Sequence, residues 1–275
     1  SYLTQQLKPT TKIRHSTPIT RSNALNCVFM AKAAPYLVGR LAGKQFLKAK
    51  WMWQSVTGNE DEAIQAEQAV GRDMAKVVEE QSQGSGSPEF QILLDNIAKP
   101  LAERVKNRNH RFEIKVLSSS KTHTAFALPG GFIFIGSALI ELAEQNSDEL
   151  AYVIGHEMAH VIRRHAIDRI LSQKALSMAS LATPAGRAVA PWLRSVGMQW
   201  LEKAYSRERE FEADALGSRL AQVAGFDPRG ALRMLERFRN LEGSSDPLGL
   251  SGYVSTHPPI DDRQQHIREQ LRLDG

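Results

Sequence analysis

His156-Glu157-Met158-Ala159-His160 is the stretch on which the reading of this chain turns. At 3.6 residues per turn, His156 and His160 lie one above the other on a single helix face, so both imidazoles can reach one metal ion. Glu157 stands beside that ion. A bound zinc lowers the pKa of its water toward ~7, and a neighbouring carboxylate can take up the proton and hand it to a leaving amine. A five-residue pattern of this kind arises by accident in roughly one chain in a hundred of this length, so the flanking residues have to decide whether it sits on a helix.

They do. Ser147, Asp148 and Glu149 form an N-terminal helix signature, and Leu150, Val153, Ile154, Val161 and Ile162 recur at helical spacing. Stepping around that helix, His156 and His160 fall at the border of the apolar arc, while Glu157 falls inside it, between Val153 and Val161. A carboxylate on a buried face is costly unless it takes up a proton or finds a cation, and a metal ion at the two histidines supplies one.

A catalytic zinc usually keeps three protein ligands and one open position. The third ligand is sought in Ser206-Arg207-Glu208-Arg209-Glu210-Phe211-Glu212-Ala213-Asp214, part of a proline-free stretch from about Glu202 to Ala224 that reads as helix. Glu210 and Asp214 share a face there. One of them can bind the metal while the other accepts a hydrogen bond from the far nitrogen of a ligand histidine. The same run also suits a solvated helix in which Arg207, Glu208, Arg209 and Glu212 pair locally.

Taken together, His-Glu-x-x-His and a later Glu-x-x-Ala-Asp resemble the gluzincin metallopeptidase family that includes HtpX, BepA, the CAAX prenyl endopeptidases and the mitochondrial OMA-type protease. The likeness extends upstream to Thr124-Ala125-Phe126-Ala127-Leu128-Pro129-Gly130-Gly131-Phe132-Ile133-Phe134-Ile135, similar to that family's β-hairpin. Downstream it reaches Thr256-His257-Pro258-Pro259 with Arg263, so that it covers roughly residues 89 to 272. The resemblance implies one Zn2+ per chain held by His156, His160 and Glu210, with Glu157 as general base and acid. It further implies Asp214 as the residue orienting a ligand histidine, and His257 as a stabiliser of the tetrahedral intermediate. The expected fold is α+β and mainly α-helical, zincin-like, with a small β-sheet or hairpin at the active-site cleft. Expected substrates are unfolded or extended proteins and peptides, held as an added strand at a sheet edge, in a protein quality-control role.

Composition limits the alternatives. A chain of 275 residues can bury a substantial core. Its single cysteine, Cys27, rules out an internal disulfide framework and stands far in sequence from the metal motif, which disfavours a site with a cysteine ligand. No apolar run is long enough to span a bilayer as a helix. Of the 35 Lys and Arg, nine fall in residues 1–59, where there is no Asp or Glu; the other 26 face all 30 acidic residues in the rest of the chain. The basic segment, with Trp51 and Trp53 beside Lys44, Lys48 and Lys50, fits an arm on anionic lipid head groups. It fits equally a basic helix packed on the catalytic domain, and its Ser/Thr-rich, acid-poor start is also that of a transit peptide. Nucleic acid is not an expected partner, because no reading motif accompanies the charge. The implied location is membrane-associated or in a bacterial cell envelope, with the mitochondrial inner membrane as the alternative.

Punctuation divides the chain into a basic segment (1–59), a helix and Gly/Ser linker (60–88) and a metallopeptidase domain (89–275). Helices are expected at Glu60 to Gln81, Glu89 to Lys106, from Asp227-Pro228 onward, and at about Ile260 to Leu273. Arg111 to Leu117 reads as a strand, and residues flanking Pro129-Gly130-Gly131 as a hairpin. Lys174 to Trp200 reads as two short helices forming a packed hairpin or a lid, because Lys174, Arg187 and Arg194 interrupt its apolar run. Gly243 to Ser255 reads as a long loop. Two rival classes fit the same residues: a zinc-bearing chaperone or adaptor with little turnover, and a basic membrane-surface binding module with an incidental motif.

Overall fold

The computed structural model describes residues 59–82, 86–118, 124–172, 193, 205–242 and 259–272. The basic segment before residue 59, the expected helices within 174–200, the loop 243–255 and His257 lie outside the described residues.

Helix α1 spans Glu60–Gln81, as its sequence pattern predicts. Asn59 caps it by accepting from the Glu62 amide at 2.9 Å, and Glu60, Asp61 and Glu62 oppose the positive end of the helix dipole. Helix α2 spans Pro88–Ala102, with Ser87 as cap and proline in the first turn. It ends four residues before the expected Lys106. Pro100 lies in its last turn, and beyond it Arg104 and Val105 donate to carbonyls three residues back rather than four, so the helix tightens and stops.

Three strands follow: β1 (Glu113–Leu117), β2 (Ala125–Ala127) and β3 (Phe132–Gly136). The order is β1-β3-β2, with β1 parallel and β2 antiparallel to the central β3. Between β2 and β3 the turn Pro129–Gly131 needs Gly130 at φ 74°, and a Cβ there would lie 2.3 Å from the Cα of Gln68 on α1. The hairpin turn is thus seated directly on α1.

Strand alternation sorts the sheet into two cores. Ile133, Ile135, Ile114, Val116, Ala125 and Ala127 join one cluster with the buried faces of α2 and the motif helix. Phe132, Phe134, Phe126 and Leu117 join the other with Val70, Met74, Val77 and Val78 of α1. Both faces are covered, which is why β3 has no polar side chain.

After the short helix α3 (Ser137–Leu142) comes the motif helix α4 (Ser147–Ile162). Its cap is Asn146, one residue before the expected signature, accepting from the amides of Asp148 and Glu149. Arg164, at φ 61°, breaks the direction of the chain before α5 (His165–Ser172). Helix α6 (Arg207–Val223) begins at Ser206 as cap-position residue, five residues later than the pattern predicts. Helix α7 (Arg229–Glu242) has Asp227 accepting from the Arg229 amide at 3.0 Å, and α8 (Ile260–Leu271) ends at Arg272 in a left-handed conformation, two residues short of Leu273.

Helix α4 runs through the middle. It packs on α6, α7, α2 and β2, and most of its residues are buried. The fold is therefore mainly helical around a small three-stranded sheet, as the sequence leads one to expect.

Candidate metal centre and active site

The two motif histidines project from α4 toward α6, and the backbones of those helices touch. Gly155 faces Gly217: a Cβ on the first would lie 2.7 Å from the Gly217 carbonyl oxygen, and one on the second 2.5 Å from the His156 amide nitrogen. Only glycine at both positions lets α6 come this close. Glu210 and Asp214, about two turns and one turn before Gly217 respectively, are thereby delivered to the face of α4 that carries the histidines.

Three groups converge. His156 Nε2 lies 3.1 Å from His160 Nε2 and 3.4 Å from Glu210 Oε2, and His160 Nε2 lies 3.7 Å from Glu210 Oε1. All three residues are buried, and among the described residues they form a group of possible metal ligands within 4.8 Å of one another. Donors about 2.0–2.1 Å from a tetrahedral zinc stand about 3.3–3.4 Å apart. The observed spacings bracket that value, so the donor set fits a zinc ion in both chemistry and size.

The outward-facing nitrogens support the same conclusion. His156 Nδ1 is 2.8 Å from Asp214 Oδ1, and a carboxylate can only accept, so Nδ1 carries the proton and Nε2 offers its lone pair inward. Asp214 is fixed in turn: Arg263 donates to both of its oxygens, at 2.8 and 2.7 Å, and the Tyr152 hydroxyl donates at 2.8 Å. Arg263, from α8, also donates to the Tyr152 oxygen at 2.9 Å. This network lies at the junction of α4, α6 and α8 and is closed to solvent.

Electrostatics follow from the burial. Desolvation would raise the Asp214 carboxyl, but the Arg263 guanidinium and the hydrogen bonds from Arg263 and His156 hold it well below the usual carboxylate range. Burial opposes protonation of His156, yet the bonds and charges of Asp214 and Glu210 lift it to about 9. The cluster thus demands a positive charge, which a metal ion meets without a proton. Burial pushes Glu157 up to about 7, partly countered by the charge of His156.

His160 has neighbours that the sequence reading did not single out. Its Nδ1 is 2.9 Å from His165 Nδ1, and its ring stacks on Tyr205 at 4.2 Å between centroids and 22° between planes. The Arg169 guanidinium covers the Tyr205 ring at 4.2 Å. His165 sits beyond a chain reversal at Arg164, so no helical spacing rule links it to His160. Tyr152 was legible in principle, since it lies four residues before His156 on the same face. Arg263 stands in the downstream motif, where the sequence alone assigns it no role.

Comparison with known proteins gives the family. Residues 90–271 match the family model described as Peptidase family M48. The chain is 32% identical over 166 residues to the Mitochondrial metalloendopeptidase OMA1 of Schizosaccharomyces pombe, covering 58% of this chain and 47% of that protein. To the protein of the same name from Arabidopsis thaliana it is 36% identical over 135 residues, 49% of this chain and 26% of the relative. It is 26% identical over 192 residues to Metalloprotease YcaL of Escherichia coli, covering 68% and 72% respectively. The chain thus spans about half the length, or less, of the OMA1 relatives named here.

Proposed function

The chain belongs to peptidase family M48, and on that footing we propose that it is a zinc-dependent endopeptidase whose ion is held by His156, His160 and Glu210. The observation that carries the reading is the convergence of two imidazole lone pairs and a buried carboxylate at the spacing of a tetrahedral zinc. When bound, zinc would acidify a water molecule and polarise the scissile carbonyl. Glu157, beside the ligands and lifted toward neutrality by burial, accepts the proton of the attacking water and delivers it to the departing amine. Asp214, held by Arg263 and Tyr152, keeps the His156 proton on Nδ1. The resemblance assigns the tetrahedral intermediate's oxygen to His257.

The sheet supports an extended peptide as substrate. The outer edge of β1 is occupied: the Gln91 amide donates to the Ile114 carbonyl at 2.8 Å and accepts from the Val116 amide at 3.2 Å, while Gly86 donates to the Val116 carbonyl. The other edge is β2, which packs beside α4. Leu128 donates to Phe132 and Gly136 to Thr124, so by antiparallel alternation Ala125 and Ala127 turn their main-chain groups away from β3. A substrate strand pairs there, with recognition through its backbone rather than its side chains.

The quality-control role draws support from the relatives' printed names, one of which is a putative beta-barrel assembly-enhancing protease of Vibrio cholerae. The proposed location is a membrane surface reached through residues 1–59; among the described residues no helix is long and apolar enough to cross a membrane. The test is metal analysis and casein or peptide hydrolysis on purified protein. One zinc per chain, with activity abolished by a chelator and restored by zinc, is the expected result. Stoichiometric zinc without turnover would favour a chaperone or adaptor instead, and absence of zinc would overturn the reading.

A further inference from the structure

His160 is held on its outer side by a second imidazole rather than by a carboxylate. His165 Nδ1 lies 2.9 Å from His160 Nδ1, and His165 Nε2 lies 3.2 Å from Glu212 Oε2. Arg163 Nε donates to the other Glu212 oxygen at 2.9 Å. His165 is buried and Glu212 is half-exposed.

Protons can be assigned along this chain by elimination. Glu212 only accepts, so His165 Nε2 donates to it. A neutral His165 then presents a lone pair at Nδ1. Two nitrogens at 2.9 Å share one hydrogen, so His160 Nδ1 must donate it. His160 Nε2 is left with its lone pair aimed at His156 Nε2 and Glu210. The opposite tautomer of His165 would set two N–H groups against each other unless His160 moved its proton to Nε2, which would remove it as a ligand.

We propose that His165 and Glu212 are a positioning pair that fixes the ligand tautomer of His160 and thereby sets the affinity of the metal site. The proposal rests on the reading of His156, His160 and Glu210 as zinc ligands. The two motif histidines are then fixed by different devices. His156 is locked by a buried carboxylate with an arginine behind it, whereas His160 is held through a neutral ring to a carboxylate at the protein surface.

The experiment measures zinc dissociation constants by chelator competition on the full chain, together with the visible spectrum of the cobalt-substituted protein and the melting temperature of the metal-free form. Removing an outer partner of a metal-bound histidine typically weakens binding by about 10- to 100-fold. His165→Leu should show a loss in that range and an altered cobalt spectrum. His165→Asn, whose side-chain carbonyl occupies the place of Nδ1 and can accept from His160, should recover most of the affinity. Glu212→Ala should weaken zinc binding, and Glu208→Ala on the same helix should not. Because Glu212 is half-exposed, its variant keeps the test valid even if His165→Leu fails to fold. Wild-type affinity in Glu212→Ala and His165→Leu, or equal losses in His165→Leu and His165→Asn, would overturn the proposal. A wild-type chain that binds no zinc would instead overturn the metal reading beneath it.

Discussion

Arg263 closes both oxygens of Asp214 in a two-pronged ion pair, at 2.8 and 2.7 Å, and both residues are buried. Charges so deeply enclosed are stable only together. Arg263→Met should leave Asp214 buried without its cation, at a cost of about 3–5 kcal/mol in folding free energy. Chemical denaturation of the metal-free protein measures it. A loss below 1 kcal/mol, the range of exposed pairs, would show that the pair is not structural.

In the proposed mechanism Glu157 separates holding a metal from using it. Glu157→Gln keeps the size of the side chain but cannot accept a proton, so zinc content should be unchanged while hydrolysis falls by about 10²–10⁴. Wild-type turnover in that variant would remove Glu157 from the chemistry.

Glu210 and Glu208 lie on the same helix, and only Glu210 faces the histidines. Glu210→Ala should release zinc under dialysis, and Glu208→Ala should retain it. Equal retention in both would refute Glu210 as a ligand.

Much of this was legible in the sequence, for physical reasons. The period of α1 and α4, the caps, and the Pro-Gly-Gly turn are local signals, and His156, His160, Glu210 and Asp214 are linked pairwise by the i+4 rule. What the sequence could not disclose depends on distant contacts. The sequence predicts too early a start for α6, because Glu202 and Lys203 suit a helix as well as the residues after Ser206 do. The His160–His165 contact depends on Arg164 adopting a left-handed conformation that no pattern specifies. The break at residue 88 is one of composition, and the helix before it supplies five buried side chains to the cluster it shares with the sheet.

Glu67 gives α1 a pH signature. Burial lifts its carboxyl from an ordinary 4.5 to about 7 despite the ion pair with Arg164. A raised folded-state pKa contributes stability that is present below pH 4.5 and is lost as pH rises through 7. The shift corresponds to roughly 3 kcal/mol. Urea unfolding of wild type and Glu67→Gln at pH 5 and pH 8 should show the wild type losing that much relative to the variant. Parallel pH dependence would contradict it.

Residues 1–59 carry nine basic and no acidic side chains. Each basic side chain near an anionic surface contributes about 1 kcal/mol, weakened by salt. Co-sedimentation with phosphatidylserine vesicles should therefore be strong at low salt and fall on deleting residues 1–59, with peptide hydrolysis unchanged. Binding that survives the deletion would place the attachment elsewhere.

The Gly155–Gly217 contact sets the separation of the two helices that carry the proposed metal ligands. Where side chains set such a separation, rotamer changes let a cage stretch to a larger guest. Here the histidines and Glu210 ride on two helices that already touch, so the opening is gauged by the stiffness of paired helices. An ion such as Ca2+, which prefers oxygen ligands at 2.3–2.6 Å and a larger shell, meets two imidazole nitrogens and one carboxylate carried on helices held at close separation. In the proposed site, the helix separation behind that choice of ion rests on two absent methyl groups.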